Sequence, residues 1–219
     1  MSKRAGKTYP QQSEQWYVEP ASMVEQIFDA LDFGGGTIWD ASCGGGTTLN
    51  VARTRGYRTR GTDIVDRGIG MRGHWFERHD FLRLREPPFR VGLGERVSLL
   101  CNPPYGKVGG VSNMGTRFVE HARKHFRDSL YRMAFIVPIE FAAGQERFEL
   151  YDRDRPSHLM IASQRPSMLS GELLEQGRKA KGGMADYAVI VWTRGGPWRC
   201  ETIWMRPDSI APFIERRKR

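Results

Sequence analysis

VSLLCNPPY, residues Val97–Tyr105, is the stretch that decides the fold. Residues 97–101 form a short, almost wholly apolar run, which predicts a strand buried on both faces of a parallel sheet. Pro103 and Pro104 cannot continue a hydrogen-bonded ladder, and they stiffen the backbone into an extended turn. The sequence therefore predicts that the Asn102 amide and the Tyr105 ring lie at the carboxyl end of a strand, the edge at which open α/β sheets bind ligands.

The residues of this turn suit methylation of a planar amino group. Such a nitrogen is a poor nucleophile because its lone pair is delocalised, and two hydrogen-bond acceptors favour the pyramidal form that reacts. The Asn102 side-chain oxygen and the Pro103 carbonyl are two such acceptors, and Tyr105 can stack on a planar group. The candidate catalytic residues are Asn102, Pro103, Pro104 and Tyr105. A proline-rich turn that only ends a strand, with Tyr105 packed in the core, is the alternative.

A glycine-rich turn, Cys43–Thr48, lies between a predicted strand at residues 37–42 and a predicted helix that begins at Leu49. Glycines let the backbone pass close to a ligand at points where a Cβ would clash. Asp40 closes the strand, and its carboxylate would repel a pyrophosphate but suits a cationic or amino-bearing ligand. The G-x-G-x-x-G pattern of dinucleotide-binding proteins is missing. The turn therefore favours a positively charged ligand over a dinucleotide.

Together the two stretches resemble the motifs of S-adenosylmethionine-dependent amino-methyltransferases. N-P-P-Y is similar to the signature of that family, which includes DNA adenine, some ribosomal RNA and release-factor glutamine methyltransferases. Asp40–Gly46 resembles its cofactor motif, D-x-x-C-G-x-G. The order of the motifs and the small size resemble the phage-type DNA adenine-N6 methyltransferases. The resemblance implies S-adenosylmethionine as cofactor and direct methyl transfer without a metal or a covalent intermediate.

Three further segments complete the expected cofactor pocket. Asp63 ends a second predicted strand and is placed to bind a ribose diol, with Ile64 beside it for the adenine and Asp66 as a competing acid. Asp80-Phe81 resembles a third family motif, which implies contacts to the adenine. Residues 17–20 resemble the segment that precedes the cofactor loop in phage-type enzymes. The candidate cofactor-binding residues are Tyr17, Glu19, Pro20, Asp40, Ser42, Cys43, Gly44, Gly46, Thr47, Asp63, Ile64, Asp80, Phe81 and Asn102.

The predicted fold is α/β, a Rossmann-like, doubly wound and mostly parallel seven-stranded sheet, as in class I methyltransferases. Further strands are predicted within residues 132–138, 157–163 and 186–192, and helices within 20–31, 118–126 and 140–151. We expect a flexible segment at residues 1–14, one methyltransferase domain at 15–206 and a basic tail at 207–219. Residues 164–185, which are polar and glycine-rich, are predicted to be a variable insert that contacts substrate.

Charge and cysteine content restrict the partners and the compartment. The net charge of +9 suits a polyanionic partner. The three cysteines form no C-x-x-C pair, and neither a signal peptide nor a membrane helix is evident, so we expect a reducing, cytoplasmic location. His121 and His125 lie one helical turn apart, but the Glu of H-E-x-x-H is missing, and no metal is expected.

Nucleic acid is therefore the expected substrate, with adenine in DNA ahead of RNA and a protein glutamine third. The short insert argues against strong sequence specificity. A nucleic-acid-binding protein without turnover, or a nicotinamide oxidoreductase on a similar sheet, are alternatives of another class. The candidate substrate-binding residues are Tyr105, Lys107, Arg165, Arg178, Lys179 and Lys181.

Overall fold

The computed structural model describes residues 16–105, 113–178, 183, 185–196 and 199–207. These form one main sheet with helices on both faces. In chain order the strands are β1 (Tyr17–Val18), β2 (Thr37–Asp40), β3 (Arg58–Asp63), β4 (Trp75–Arg78), β5 (Val97–Cys101), β6 (Arg132–Pro138), β7 (His158–Ala162), β8 (Leu169–Ser170), β9 (Tyr187–Thr193) and β10 (Glu201–Met205). The α-helices are α1 (Ala21–Ala30), α2 (Thr47–Thr54), α3 (Met114–Phe126), α4 (Gln145–Arg153) and α5 (Gly171–Glu175).

The strands of the main sheet follow the order β10-β7-β9-β6-β5-β2-β3-β4. Strand β9 runs antiparallel to both of its neighbours, and the other adjacent pairs are parallel. This confirms the predicted α/β class with a mixed, mostly parallel sheet. Because the chain order reverses on either side of β2 and β5, their carboxyl ends lie at the switch point where such sheets bind ligands.

Burial on both faces explains why β5 is apolar at four of its five positions. All five residues of β5 are buried. Leu100 packs with Ile38 and the apolar residues of α1 and α2 on one face, whereas Leu99 packs with Trp39 and the apolar residues of α3 on the other. Alternate residues point to opposite faces of a strand, so a strand between two helical layers favours apolar residues on both faces.

The expectation of seven strands is wrong for this chain, because the main sheet has eight within the described residues. Strands β4 and β10 lie at its two edges and lack a continuous apolar run. Most of their residues are partly or fully exposed. A half-solvated edge strand carries a weaker sequence signal than a buried one, so the sequence places the other six strands of this sheet but neither of these two.

A separate two-stranded sheet joins distant parts of the chain. Tyr17 pairs with Ser170 and Val18 with Leu169, antiparallel. The described part of the predicted insert is therefore folded onto the segment that precedes α1, and it continues into the short helix α5. The predicted flexible segment and most of the predicted basic tail lie outside the described residues.

Candidate active site

Three parallel strands end side by side at the carboxyl edge of the sheet. Strand β2 ends at Asp40, β3 ends at Asp63, and β5 is followed by Asn102. Strand β2 lies between the other two and pairs with both. The structure therefore brings together the polar residues that the sequence predicted at three separate strand ends.

The glycine-rich turn is held against β3 by hydrogen bonds that its backbone amides donate. The Cys43 amide donates to the Thr62 carbonyl oxygen at 3.1 Å, and the Gly44 amide donates to Asp63 Oδ2 at 2.9 Å. Gly44 and Gly46 have φ angles of 47° and 84°, in the left-handed region that favours glycine. A Cβ at Gly44 would lie 2.8 Å from Cδ1 of the Trp16 ring, so the turn also needs a glycine there for space.

Two buried carboxylates lie next to this turn. Burial raises the pKa of Asp40 well above its usual value, and the nearby charges of Glu19 and Asp63 raise that pKa further. Burial likewise raises the pKa of Glu19, although hydrogen bonds from Thr48 and Asn102 oppose the shift. An ionised carboxyl in such surroundings is stabilised by a cationic ligand, and by the same argument it repels a phosphate group.

We predict that Asp40→Asn stabilises the ligand-free protein at alkaline pH. Between the usual pKa of 3.8 and the raised folded value, the folded state binds more protons at Asp40 than the unfolded chain does, so stability falls as pH rises. The amide does not ionise, so we expect a melting temperature at pH 8 at least about 2 °C above wild type, the shift that roughly 1 kcal/mol produces in a chain of this size.

Differential scanning fluorimetry at pH 5 and pH 8 measures this difference, which should shrink at the lower pH. Asp152→Asn, which replaces an exposed carboxylate on α4, is the control and should not change the melting temperature at either pH. A melting temperature of Asp40→Asn at pH 8 equal to or below that of wild type would contradict the prediction.

Asp63 is held from three sides. It accepts hydrogen bonds from the amides of Gly44 and Val65, at 2.9 and 3.0 Å, and its Oδ1 lies 3.1 Å from Nη1 of Arg67. A carboxylate has about four acceptor positions, so these three contacts leave one for a further donor such as a hydroxyl. The competing acid, Asp66, is exposed and accepts from the Gly68 amide within its own turn.

The Asn102 amide is fixed by two acceptors. Its Nδ2 donates to the Tyr17 carbonyl oxygen and to Glu19 Oε2, both at 3.1 Å. The Ser42 hydroxyl donates to the Asn102 backbone carbonyl at 3.1 Å, and this bond ties the turn after β5 to the turn after β2. The side-chain oxygen Oδ1 is thereby turned away from Glu19.

Tyr105 is folded inward. Its hydroxyl lies 2.6 Å from the Ile136 carbonyl oxygen and also contacts Asn102 Oδ1. The ring packs against the apolar core, with its centroid 6.0 Å from that of Tyr187, and burial raises the pKa of the Tyr105 hydroxyl. In this arrangement the Tyr105 hydroxyl is bound to Asn102 Oδ1, the oxygen that was predicted to accept a hydrogen bond from the substrate amine. Pro103 is buried and Pro104 half-buried, as expected for an ordered turn.

The structure does not bring Asp80-Phe81 to an open pocket. Phe81 is 1% exposed and packs among Trp39, Phe118 and Phe126. Asp80 is exposed, and its carboxylate accepts from the Leu82 amide at the start of a short 3-10 helix. We therefore assign Phe81 to the core, contrary to the expectation that its ring covers the cofactor adenine. Ile64, by contrast, is 48% exposed beside Asp63.

Two of the predicted substrate-binding arginines lie in described residues. Arg165 forms an ion pair with Asp186, with Nε 2.9 Å from Oδ1, and lines a cavity of about 510 Å³ whose wall also includes Pro20 and Thr47. Arg178 is exposed at the end of the described insert. Lys107, Lys179 and Lys181 lie outside the described residues.

Three residues near the site were not predicted. Trp16 covers the glycine-rich turn, and its carbonyl oxygen accepts a hydrogen bond from the Gly171 amide at 3.0 Å. Arg67 forms an ion pair with Asp63 and stacks on Trp16, with its guanidinium carbon 4.2 Å from the ring centroid. Thr48 donates a hydrogen bond to Glu19. Only Arg67 carried a sequence signal, a cation four residues after a predicted functional acid.

The described residues contain no group of three or more His, Cys, Asp or Glu side chains that could hold a metal ion. His121 and His125 lie close together, with ring centroids 4.6 Å apart, and His121 bonds to the Leu84 carbonyl oxygen through Nε2. Within the described ranges, none of the helices combines the length and apolar character that crossing a bilayer requires.

No protein-family model matches the chain, and no curated protein matches it in sequence. Among solved structures, the chain is similar to a modification subunit assigned to a type I restriction enzyme of Vibrio vulnificus YJ016, with a TM-score of 0.58 and 14% identity over 94% of this chain and 49% of that one. It therefore spans about half the length of that subunit.

Two further similar structures are closer to this chain in length. One is an RNA methyltransferase candidate from Pyrococcus horikoshii, with a TM-score of 0.57 and 15% identity over 85% of this chain and 91% of that one. The other is the 23S rRNA methyltransferase ErmE, with a TM-score of 0.52 and 16% identity over 84% and 72%. At these identities the likeness shows the fold, which is that of class I methyltransferase structures.

Proposed function

We propose that this chain is a methyltransferase that moves a methyl group from S-adenosylmethionine to an exocyclic amino group of a nucleic-acid base, namely N6 of adenine in DNA, with low sequence specificity. The observation that carries the proposal is the position of Asn102. Its amide is held by Glu19 at the edge of the sheet where the buried Asp40 and the glycine-rich turn also lie.

The residues of this edge fit S-adenosylmethionine. When bound, the cofactor supplies an electrophilic methyl group on a positively charged sulfur. Asp40 provides a carboxyl group in a buried setting, and its ionised form suits a sulfonium or an ammonium group. Gly44 and Gly46 would let the backbone approach the ligand, Asp63 keeps one acceptor position for a ribose hydroxyl, and the exposed Ile64 would contact the adenine.

The turn after β5 would activate the substrate amine. Asn102 Oδ1 and the Pro103 carbonyl oxygen would accept its two N–H bonds and so favour the pyramidal nitrogen. To do so the substrate must displace the Tyr105 hydroxyl from Asn102 Oδ1, after which the Tyr105 ring would stack on the base. A base within a duplex must also be flipped out of its stack, at a cost of a few kcal/mol that stacking would partly offset.

Charge and fold support a nucleic-acid substrate. The chain carries 34 lysines and arginines against 25 acidic residues, an excess suited to a phosphate backbone. The described part of the insert is small and folds onto β1, which leaves little chain for reading a long sequence. The similar type I modification subunit favours DNA. RNA is the second candidate, because structures of RNA methyltransferases are similar to this chain over four-fifths of its length.

Methyl transfer to separate substrate pools tests the proposal. The purified protein is incubated with labelled S-adenosylmethionine and unmethylated double-stranded DNA, single-stranded DNA, bulk RNA or cell protein, and any labelled pool is digested and its nucleosides or amino acids are separated. We expect label in DNA as methyladenine. Label only in RNA would support the second candidate. Label only in protein, or binding of cofactor without label anywhere, would overturn the proposal.

A further inference from the structure

The Glu19 carboxylate is fully engaged by the protein itself. Its Oε1 accepts from the Thr48 hydroxyl at 2.8 Å, and its Oε2 accepts from Asn102 Nδ2 at 3.1 Å. The residue is only 7% exposed. The backbone amides of Glu19 and Thr48 also hydrogen-bond to the carboxylate and lower its pKa, so its acceptor positions are largely taken and it is poorly suited to be a direct ligand of the cofactor, which is the role expected from the sequence.

These contacts decide which way the Asn102 amide faces. An asparagine side chain has an acceptor at one end and two donors at the other, and it can be rotated by half a turn with little change in shape. In this structure both Glu19 oxygens accept hydrogen bonds. Glu19 therefore requires Asn102 to turn its NH₂ group inward, and this leaves the oxygen Oδ1 on the side of Tyr105.

The Tyr17 carbonyl oxygen contributes in the same direction, since it is a second acceptor for Asn102 Nδ2. Thr48 in turn fixes Glu19, because its hydroxyl donates to the oxygen that Asn102 does not use. Thr48 and Asn102 both donate to the carboxylate, one to each oxygen, so each Glu19 oxygen acts as an acceptor. The segment before α1 and the first turn of α2 thus act together on the residue that follows β5.

We propose that Glu19 is a positioning residue that holds the Asn102 amide with Oδ1 toward the substrate. This inference rests on the proposed function, in which Oδ1 accepts the N–H bond of the amine. If the amide were reversed, Nδ2 would face the amine, and two donors would oppose each other. Glu19 would then influence the rate of methyl transfer through Asn102, without contacting the substrate or the cofactor.

A pair of reciprocal substitutions tests the inference. In Glu19→Gln the new amide can turn either a donor or an acceptor toward Asn102, so only the Tyr17 carbonyl oxygen still favours one orientation of Asn102. We expect kcat to fall at least about tenfold with cofactor Kd within about threefold of wild type. In Asn102→Asp two acceptor-only carboxylates face each other, and we expect a larger loss. The double variant restores a donor to that contact, and its kcat should exceed that of Asn102→Asp at least about tenfold.

Glu25→Gln is the matched control, since Glu25 is an exposed glutamate on α1 and this change should leave kcat within about twofold of wild type. A double variant no more active than Asn102→Asp would overturn the inference, as would a Glu19→Gln variant with wild-type kcat. Rescue shows that the two residues act through one contact, and the cofactor Kd separates positioning from a purely structural role, because a loss of folding would weaken cofactor binding together with turnover.

A second measurement does not depend on methyl transfer. In protein labelled with ¹⁵N-asparagine, the NH₂ signals of Asn102 are identified by their loss in Asn102→Asp, and their exchange with D₂O is followed. We expect slow exchange in wild type and at least about tenfold faster exchange in Glu19→Gln. If wild type transfers no methyl group but shows this protection, the proposed function fails and the orienting contact stands. Equal exchange in both proteins would overturn the inference.

Discussion

Asn102→Ala is expected to reduce methyl transfer by about 10²–10³-fold, the loss that accompanies removal of one preorganised hydrogen-bonding group from a reaction centre. The substitution removes Oδ1, the acceptor proposed for the substrate amine, while the backbone of the turn stays tied to Ser42 through the Asn102 carbonyl. Cofactor Kd should change by less than about threefold, because Asp40, Asp63 and the glycine-rich turn are unaltered. Turnover is measured with labelled S-adenosylmethionine and cofactor affinity by isothermal titration.

Asn50→Ala is the control for this substitution. Asn50 is an exposed asparagine on α2 whose side chain bonds to His74, so its removal deletes an amide of the same size without touching the turn after β5. Its turnover should stay within about twofold of wild type. A turnover of Asn102→Ala that matches wild type would falsify the role assigned to the amide. A loss of cofactor binding as large as the loss of turnover would instead make Asn102 a cofactor ligand.

Trp39→Ala should lower the free energy of unfolding by about 3–5 kcal/mol, the cost of replacing a large buried aromatic side chain by alanine. Trp39 is fully buried in β2, next to Asp40. Its indole N–H donates to the Thr62 hydroxyl at 3.0 Å, and its ring packs edge-on against Phe81 and Phe126. Since domains are stable by only about 5–15 kcal/mol, the loss takes a large share of the total.

Urea denaturation followed by circular dichroism measures this loss. Trp204→Ala is the control, because Trp204 lies on the edge strand β10 and is 67% exposed, and we expect a change of less than about 1 kcal/mol there. Trp39→Phe keeps a ring but deletes the indole N–H, and its loss of unfolding free energy should lie between those of Trp39→Ala and Trp204→Ala. A Trp39→Ala protein within about 1 kcal/mol of wild type would contradict the packing described for this face of the sheet.

The elements that could be predicted from sequence are those whose conformation is determined by the residues of the element itself. Strand β5 lies between two helical layers and is apolar at every position except Ser98, and the prolines after it stop any strand. The left-handed φ angles of Gly44 and Gly46 likewise require glycine for a local reason. Such signals are complete within a few residues, which is why the main strands and both turns were predicted close to their observed bounds.

The contacts that could not be predicted depend on residues far apart in the chain. Phe81 was expected at the cofactor because Asp80-Phe81 matches a short motif, but α3 supplies the aromatic partners that draw its ring into the core. Trp16 covers the glycine-rich turn only because Gly171 leaves room for its ring. A two-residue motif does not predict whether a side chain points into the core or toward a ligand. A local pattern also does not predict which distant residue packs on a turn.

The pairing of β1 with β8 sets the order in which the site can be completed during synthesis. Tyr17 and Val18 leave the ribosome early, whereas their partners Leu169 and Ser170 emerge only after most of the sheet has been translated. Until then the Tyr17 carbonyl that receives the Asn102 amide has no strand beside it. A nascent chain can therefore assemble the central strands before the turn after β5 has all of its contacts, and the candidate site should be completed late in biogenesis.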